Sequence, residues 1–390
     1  MTSLRLDEMP ALSNATLTLV FTGGVQLKTW AQIGSLSREV QIYQRLVPHL
    51  KRINFVTYGG KQDEAYADKL GDISVLPSLW TPSPAFNRLT LWQNYAEALR
   101  QSDVIKTHQI PGSDIAVWLK QRCQCRLVTR CGYLWSLNAE RESHDAEAIH
   151  RVRELERIAF AEADIGVMTT KANLRHVVEQ HHIEPRKLRI VPNYVDVNRF
   201  SPRPFNSTKH PIPTLMFVGR LSAEKNVEGT LDALGILQAR VHTVPKLAIV
   251  GEGQLKQALL VKASKLGLPV SFLGSVPNEQ LPGLLRSADV FILPSLYEGH
   301  PKALLEAMSC GLPCIGADVE GIRQEIRHGD NGYLCRTSPE SIANAIETVI
   351  NDTVLQVELG KRARQYVVEN YALEKVLQQE LAVLEDALQG

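Results

Sequence analysis

The sequence predicts an α/β protein built from two similar domains, each a doubly wound parallel sheet. Three observations carry this. Short apolar runs alternate with amphipathic stretches along the 390 residues. Most of the apolar runs are continuous instead of alternating, as in strands covered on both faces. A stretch with four prolines, residues 201–213, interrupts the pattern once, and the pattern then resumes. Proline removes backbone donors and resists helix, so this stretch reads as a linker. The length suits two domains of roughly 100–200 residues each.

Strands are expected at Thr16–Phe21, Ile53–Thr57, Val104–Lys106, Arg126–Arg130, Ile165–Thr169 and Arg189–Pro192 in the first half. After the linker they are expected at Thr214–Val218, Lys246–Val250, Val270–Leu273, Val290–Leu293 and Cys314–Gly316. Amphipathic helices fall between them, among them Ser35–Lys51, His144–Ala163 and Pro339–Asn351. Repeated β-α units of this kind give parallel sheets with right-handed crossovers. The last stretch carries Leu373, Val376, Leu377, Leu381, Leu384 and Leu388 on one helical stripe, which needs a surface to cover it.

Composition narrows the function. Hydrophobic residues at 44% and charged residues at 22% are ordinary for a globular chain and exclude bulk disorder. With 43 basic and 42 acidic residues, the net charge is +1, which gives no footprint for nucleic acid. Residues 1–200 hold 25 basic against 21 acidic residues, the remainder 18 against 21. That asymmetry permits an anionic membrane surface near the first half. No run approaches the ~18 apolar residues of a spanning helix. The N-terminal MTSLRLDEMP lacks the basic-then-apolar pattern of a secretory signal, so a cytoplasmic location is expected. Six cysteines do not make a disulfide scaffold. Cys123, Cys125 and Cys131 lack CxxC pairing or histidine partners, so they are read as ordinary thiols and no metal is expected.

The richest segment is residues 293–316. A strand ends at Pro294, the loop Ser295–His300 follows, and Pro301 suits the start of a helix over Lys302–Ser309. Gly311 and Pro313 end that helix. A helix starting just past a parallel strand's carboxyl end points unpaired N–H groups into the sheet-end crevice, where they suit phosphate or sugar oxygens. Glu298 stands in the loop and Glu306 on the helix, and both could face one ligand. Equally, Glu298 could cap the helix dipole and Glu306 be solvated.

Three further turns fall at strand ends. Phe217–Val227 places Arg220 and Lys225 beyond a strand, two cations suited to a diphosphate or else a surface pair matched to Glu224 and Glu228. Ile249–Leu255 carries Gly251 and Gly253, but Lys256 breaks the dinucleotide fingerprint, and a turn without ligand contact is the plainer reading. Thr22-Gly23-Gly24-Val25 follows the first strand, with Gly34 ahead of Ser35 as a helix cap. His108 sits just past Val104–Lys106, at a crevice mouth, although a histidine there is by default packing.

Together these segments resemble the GT-B nucleotide-sugar glycosyltransferases, specifically the retaining group often called family 4. The Glu-x7-Glu signature is met by Glu298 and Glu306, and Gly-Arg-x4-Lys by Gly219, Arg220 and Lys225. The Gly-x-Gly turn, Gly274, Ala288-Asp289 and Gly329–Gly332 follow in order, and Val191–Asp196 precedes the linker. The loop of residues 22–34 departs from the compact turn of the family. The resemblance implies two Rossmann-like domains across a cleft: residues 1–200 plus a returning tail at 366–390, the linker 201–213, and a donor domain at 214–365. It implies that Arg220 and Lys225 neutralise the diphosphate, that Glu306 accepts from ribose hydroxyls, and that Glu298 and His108 hold the transferred sugar. Gly299, Pro301 and Lys302 would support sugar and phosphate at the helix start. Gly23, Gly24, Gly34, Gly219, Gly251, Gly253, Val276, His300 and Ala303 would complete the donor surroundings.

The implied reaction is sugar transfer with retention, by front-face attack in which the donor phosphate takes the acceptor's proton. The nucleotide-sugar is a co-substrate; no cofactor or metal is implied. The acceptor would be a saccharide or lipid-linked molecule of cell-surface polysaccharide or glycoconjugate synthesis. Arg130, Tyr133 and Trp135 are its candidate contacts, because they follow a strand end. Trp30, Trp80 and Trp92 could stack on sugars, although packing is the commoner use of such rings. Arg38, Arg45, Lys51 and Arg52 could rest the first domain on an anionic membrane. The alternatives are a sugar-nucleotide epimerase or phosphorylase of the same fold, and a silent nucleotide-sugar binder.

Overall fold

A computed structural model describes residues 10–142, 145–203, 212–240 and 243–390. The chain divides into two units. The first comprises the chain through Gln32, then Leu36–Pro192 and Val376–Gly390; the second comprises Ile33–Ser35 and Asn193–Lys375.

The first unit holds seven parallel strands: β1 Thr16–Val20, β2 Arg52–Thr57, β3 Ile73–Pro77, β4 Val104–Thr107, β5 Arg126–Cys131, β6 Ile165–Met168 and β7 Leu188–Ile190. Their order is β3-β2-β1-β4-β5-β6-β7. The second holds six: β8 Thr214–Val218, β9 Lys246–Val250, β10 Val270–Gly274, β11 Val290–Leu293, β12 Cys314–Ala317 and β13 Tyr333–Cys335. Their order is β10-β9-β8-β11-β12-β13. Every strand pair in both sheets is parallel. The strand order reverses between β1 and β4, and again between β8 and β11. At such a switch point the connections leave to opposite faces and open a crevice beyond the carboxyl ends.

Two strands were not visible in the sequence pattern. β3 and β13 are edge strands, and β13 has only three residues. An edge strand needs no continuous apolar run, since one side lacks a neighbour; the burial of β3 is correspondingly uneven.

The unit boundaries differ from those expected at 200 and 366. Val195 N–H donates to Tyr371 O at 2.8 Å, and Leu373 N–H donates back to Val195 O at 2.9 Å. These bonds fix the segment from Asn193 within the second unit. The return to the first unit comes at Val376. Of the proline-rich linker, residues 204–211 lie outside the described residues.

The C-terminal helix Leu373–Gln389 buries Val376, Leu377, Leu381 and Leu384. Its Glu380 pairs with Lys106 on β4, both of them almost wholly buried. Burial lowers the Lys106 pKa, and the Glu380 charge opposes that fall. A buried lysine beside an apolar strand therefore depends on this one helix. Among the described residues no helix is long and apolar enough to cross a membrane.

Candidate functional site

In the second unit the site begins where β8 ends. Gly219 N–H donates to Val250 O at 3.0 Å and Leu221 N–H to Glu252 O at 2.9 Å, so the turns after β8 and β9 lie against each other. A Cβ on Gly251, at φ +138°, would sit 1.9 Å from Gly219 O. One on Gly253 would sit 2.4 Å from Leu221 O. The close approach that demands these two glycines is to the neighbouring loop. They position the backbone that carries Arg220.

The next residues make one tight helical turn, Ala223–Lys225, and Asn226 follows in the left-handed region at φ +50°. Asn226 Nδ2 donates to Pro294 O and Thr337 O, each at 3.1 Å. Leu296 N–H donates to Glu224 O at 2.8 Å. These bonds join the loop after β8 to the loop after β11. As a result Lys225 Nζ lies 2.6 Å from Glu298 Oε1, which also accepts from Ser295 Oγ at 2.7 Å. Both charged side chains are mostly covered, at 16% and 9% exposed. Arg220 stands out at 80% exposed and reaches Glu224 at 3.3 Å. Burial pushes the Glu224 carboxyl up, but Ser222, Arg220 and Lys225 outweigh it and hold the pKa below the ordinary range. The loop is therefore a cationic rim with its anions pinned.

The helix Lys302–Ser309 starts one residue past extended Pro301. Its first N–H groups open beyond β11, as expected of an oxygen-binding helix start. Gly299, Lys302 and Ala303 are half-buried around that start. Gly321 lies beneath: a Cβ there would come within 2.3 Å of Glu298 O. The His300 ring is buried beneath the loop. Its Nδ1 accepts from Asn193 N–H at 3.1 Å and its Nε2 lies 3.3 Å from Glu325 Oε1, with the ring 1% exposed. The imidazole is fully occupied in holding the loop from below, against the ring of Tyr371 at 5.2 Å between centroids.

Glu306 is buried rather than solvated. Its Oε1 accepts from Asn278 Nδ2 at 2.9 Å. Asn278 also donates its N–H to Gly34 O at 2.8 Å, and Gly34 takes φ +74°. A Cβ on Gly34 would lie 2.3 Å from Val276 O. Gly34 and Val276 thus touch each other, and both sit on the chain that fixes Glu306.

In the first unit, β1 leads through Phe21 into Thr22-Gly23-Gly24. The expected extended loop is instead a turn followed by a short helix, Leu27–Gln32. The Trp80 indole covers the two glycines; a Cβ on Gly23 would come 2.7 Å from its ring. His108, after β4, bonds Thr22 Oγ1 through Nδ1 at 2.8 Å. Its Nε2 lies 3.6 Å from Glu39 Oε2, and Trp30 packs on the ring at 5.0 Å. His108 and the glycine turn are therefore brought together at the first switch point. Arg130 lies within β5, where its N–H donates to Thr107 Oγ1 at 2.9 Å; past the strand, Tyr133 is 39% exposed and Trp135 N–H donates to Glu156 Oε1 at 3.0 Å. Trp92 is a packing residue, edge-on to Trp118 and between the guanidinium groups of Arg100 and Arg122.

Asn226, Asn278, Asn193 and Gly321 were not singled out in the sequence. Each acts on a partner far along the chain; Asn226 adjoins Lys225 and Asn193 lies in the Val191–Asp196 run, but Asn278 and Gly321 carried no local hint.

Residues 202–366 match the family described as glycosyl transferases group 1. An uncharacterized glycosyltransferase of Methanocaldococcus jannaschii is 27% identical over 308 residues, 74% of this chain and 76% of that protein. The UDP-Gal:alpha-D-GlcNAc-diphosphoundecaprenol alpha-1,3-galactosyltransferase of Escherichia coli is 29% identical over 209 residues, 51% of this chain. The match spans about half, 54%, of that enzyme's length. The crystal structure of Anabaena HepE in complex with UDP superposes with a TM-score of 0.75 at 18% identity, covering 95% of this chain and 99% of HepE. The fold is GT-B, two Rossmann-like parallel-sheet domains. The chain has the GT-B fold, and residues 202–366, from within the linker onward, are similar to the glycosyl transferases group 1.

Proposed function

We propose that this protein transfers a sugar from a nucleotide-sugar donor to a hydroxyl of a saccharide or lipid-linked acceptor, with retention and without a metal. The observation that carries the reading is the Lys225–Glu298 pair at the β8/β11 switch point, set beside exposed Arg220 and the start of helix Lys302–Ser309. Arg220 and Lys225 meet the donor diphosphate. Negative charge grows there as the sugar leaves, and fixed cations stabilise that charge more than the ground state. Glu298 accepts from hydroxyls of the transferred sugar, and Glu306 from the ribose. Gly219, Gly299, Pro301, Lys302 and Ala303 shape the surface around the phosphates.

The acceptor oxygen bonds to the anomeric carbon on the face from which the phosphate oxygen departs. The C–O bond to phosphate breaks, and the departing phosphate takes the acceptor's proton. Neither carboxylate needs to act as nucleophile, since Glu298 is held by Lys225 and Ser295. In the first unit, His108 contacts the donor sugar, and Arg130, Tyr133 and Trp135 serve the acceptor. The similarity to a galactosyltransferase named for a diphosphoundecaprenol acceptor favours lipid-linked glycan synthesis at the cytoplasmic membrane face. Arg38, Arg45, Lys51 and Arg52 supply cations for that surface.

The test is release of nucleoside diphosphate from UDP-, GDP-, ADP- and dTDP-sugars in EDTA, with saccharide and polyprenyl-linked acceptors. Acceptor-dependent release with an α-linked product from an α-linked donor supports the reading. Donor turnover without acceptor, beyond slow hydrolysis, replaces it with an epimerase or phosphorylase. No turnover of any donor leaves a binding protein.

A further inference from the structure

Three metal-ligating side chains of the first unit converge away from every residue used above except Trp135. Glu156 lies on the helix Ala146–Ala161, and His176 and His181 on the helix Lys171–His181. One ligand atom from each falls within 4.8 Å of the other two. His181 Nε2 and Glu156 Oε2 stand 3.1 Å apart. Two ligands on one tetrahedral ion, each bonded at ~2.0–2.1 Å, lie at about that spacing.

The carboxylate is pre-oriented. Trp135 N–H donates to Glu156 Oε1 at 3.0 Å, and Ser136 Oγ donates to Oε2. Outer donors of this kind fix a ligating carboxylate in place. Glu156 and His181 are buried, while His176 is half-buried beside a pocket that His150 and Gln180 also line. The other charges lining the pocket are matched: Arg153 with Glu140 at 2.8 Å, and Arg157 with Glu154 at 2.6 Å. Their fields therefore largely cancel at the cluster.

We infer that Glu156, His176 and His181 form a binding site for a divalent transition metal, with zinc as the natural fit. Two imidazoles and one carboxylate are a zinc donor set that leaves a fourth position for water. A metal bound through His181 Nε2 takes the place of the His181–Glu156 hydrogen bond. Because Glu156 also holds Trp135 and Ser136, an occupied site braces the start of the helix Trp135–Glu142. The metal takes no chemical step in sugar transfer, so this inference stands or falls apart from the proposed function.

The test is titration of the EDTA-treated, full-length protein with Co²⁺. The expected result is one equivalent bound with visible d–d absorption, and proton resonances shifted by the ion for two imidazole N–H groups. His176→Ala, at a half-buried position, should fold normally by circular dichroism and bind Co²⁺ at least tenfold more weakly, a loss of ~1.4 kcal/mol or more. Zn²⁺ should raise the melting temperature of the wild type and not of His176→Ala. Absence of visible absorption in the wild type, or equal Co²⁺ affinity in a folded His176→Ala, overturns the site.

Discussion

Lys225 Nζ lies 2.6 Å from Glu298 Oε1, across two loops that leave different strands of one sheet. The pair couples the cation proposed for the diphosphate to the carboxylate proposed for the sugar. Glu298→Gln keeps the volume and the Ser295 hydrogen bond but removes the charge. Sugar transfer should fall by ~10²–10³, the scale of losing one preorganised electrostatic contact. The melting temperature should fall modestly, since the amide still accepts from Ser295 but no longer neutralises the mostly covered Lys225. Activity within threefold of wild type would remove Glu298 from the proposed chemistry.

His108 is braced by Thr22 at 2.8 Å and packed under Trp30. It is proposed to touch the sugar and not the nucleotide. His108→Ala should therefore lower kcat by ~10²-fold, within the range for a positioned polar group. The affinity for free nucleoside diphosphate, read by calorimetry, should not change. A parallel loss of nucleotide affinity would contradict that division.

Gly251→Ala tests the support beneath Arg220. The added Cβ would meet Gly219 O at 1.9 Å, at a φ of +138° that alanine rarely adopts. The strand-end turn must shift, carrying Arg220 with it. Donor affinity and melting temperature should both fall, by contrast with an Arg220→Ala change, whose exposed side chain should cost binding and leave melting unaltered. An unaltered Gly251→Ala variant would mean that the two loops are not packed in solution.

Glu380→Ala strands the Lys106 ammonium in the interior of the first unit. Breaking a buried pair from one side costs ~3–5 kcal/mol, because the remaining charge is uncompensated. Chemical denaturation should show that loss. The double change Lys106→Met with Glu380→Leu should recover much of it. A single variant as stable as wild type would place the C-terminal helix off β4.

Much of this was legible in the sequence. Continuous apolar strands gave the two sheets, and the helix Pro339–Asn351 has the limits its cap and periodicity predict, with Ser338 accepting from Ser341 N–H. Glu298, Lys225 and Arg220 were legible because their spacing is local to one strand end each. The pairing of Lys225 with Glu298 was not, since 73 residues separate them and the sheet order that joins them is non-local. His300 shows the same non-locality. Its place in the loop matched a ligand contact, but partners at 193 and 325 turn the ring inward. The same limit hid Glu156, His176 and His181, whose two helices meet only in the folded unit.

The central claim is that the second unit holds a nucleotide-sugar through its cationic rim. Calorimetric titration of wild type and Arg220→Ala with UDP-, GDP-, ADP- and dTDP-sugars, all in EDTA, tests it most directly. One class of donor should bind the wild type with one site per chain. Arg220→Ala should bind that donor at least tenfold more weakly, a loss of ~1.4 kcal/mol or more. Binding of no donor, or equal binding by both proteins, would contradict the account.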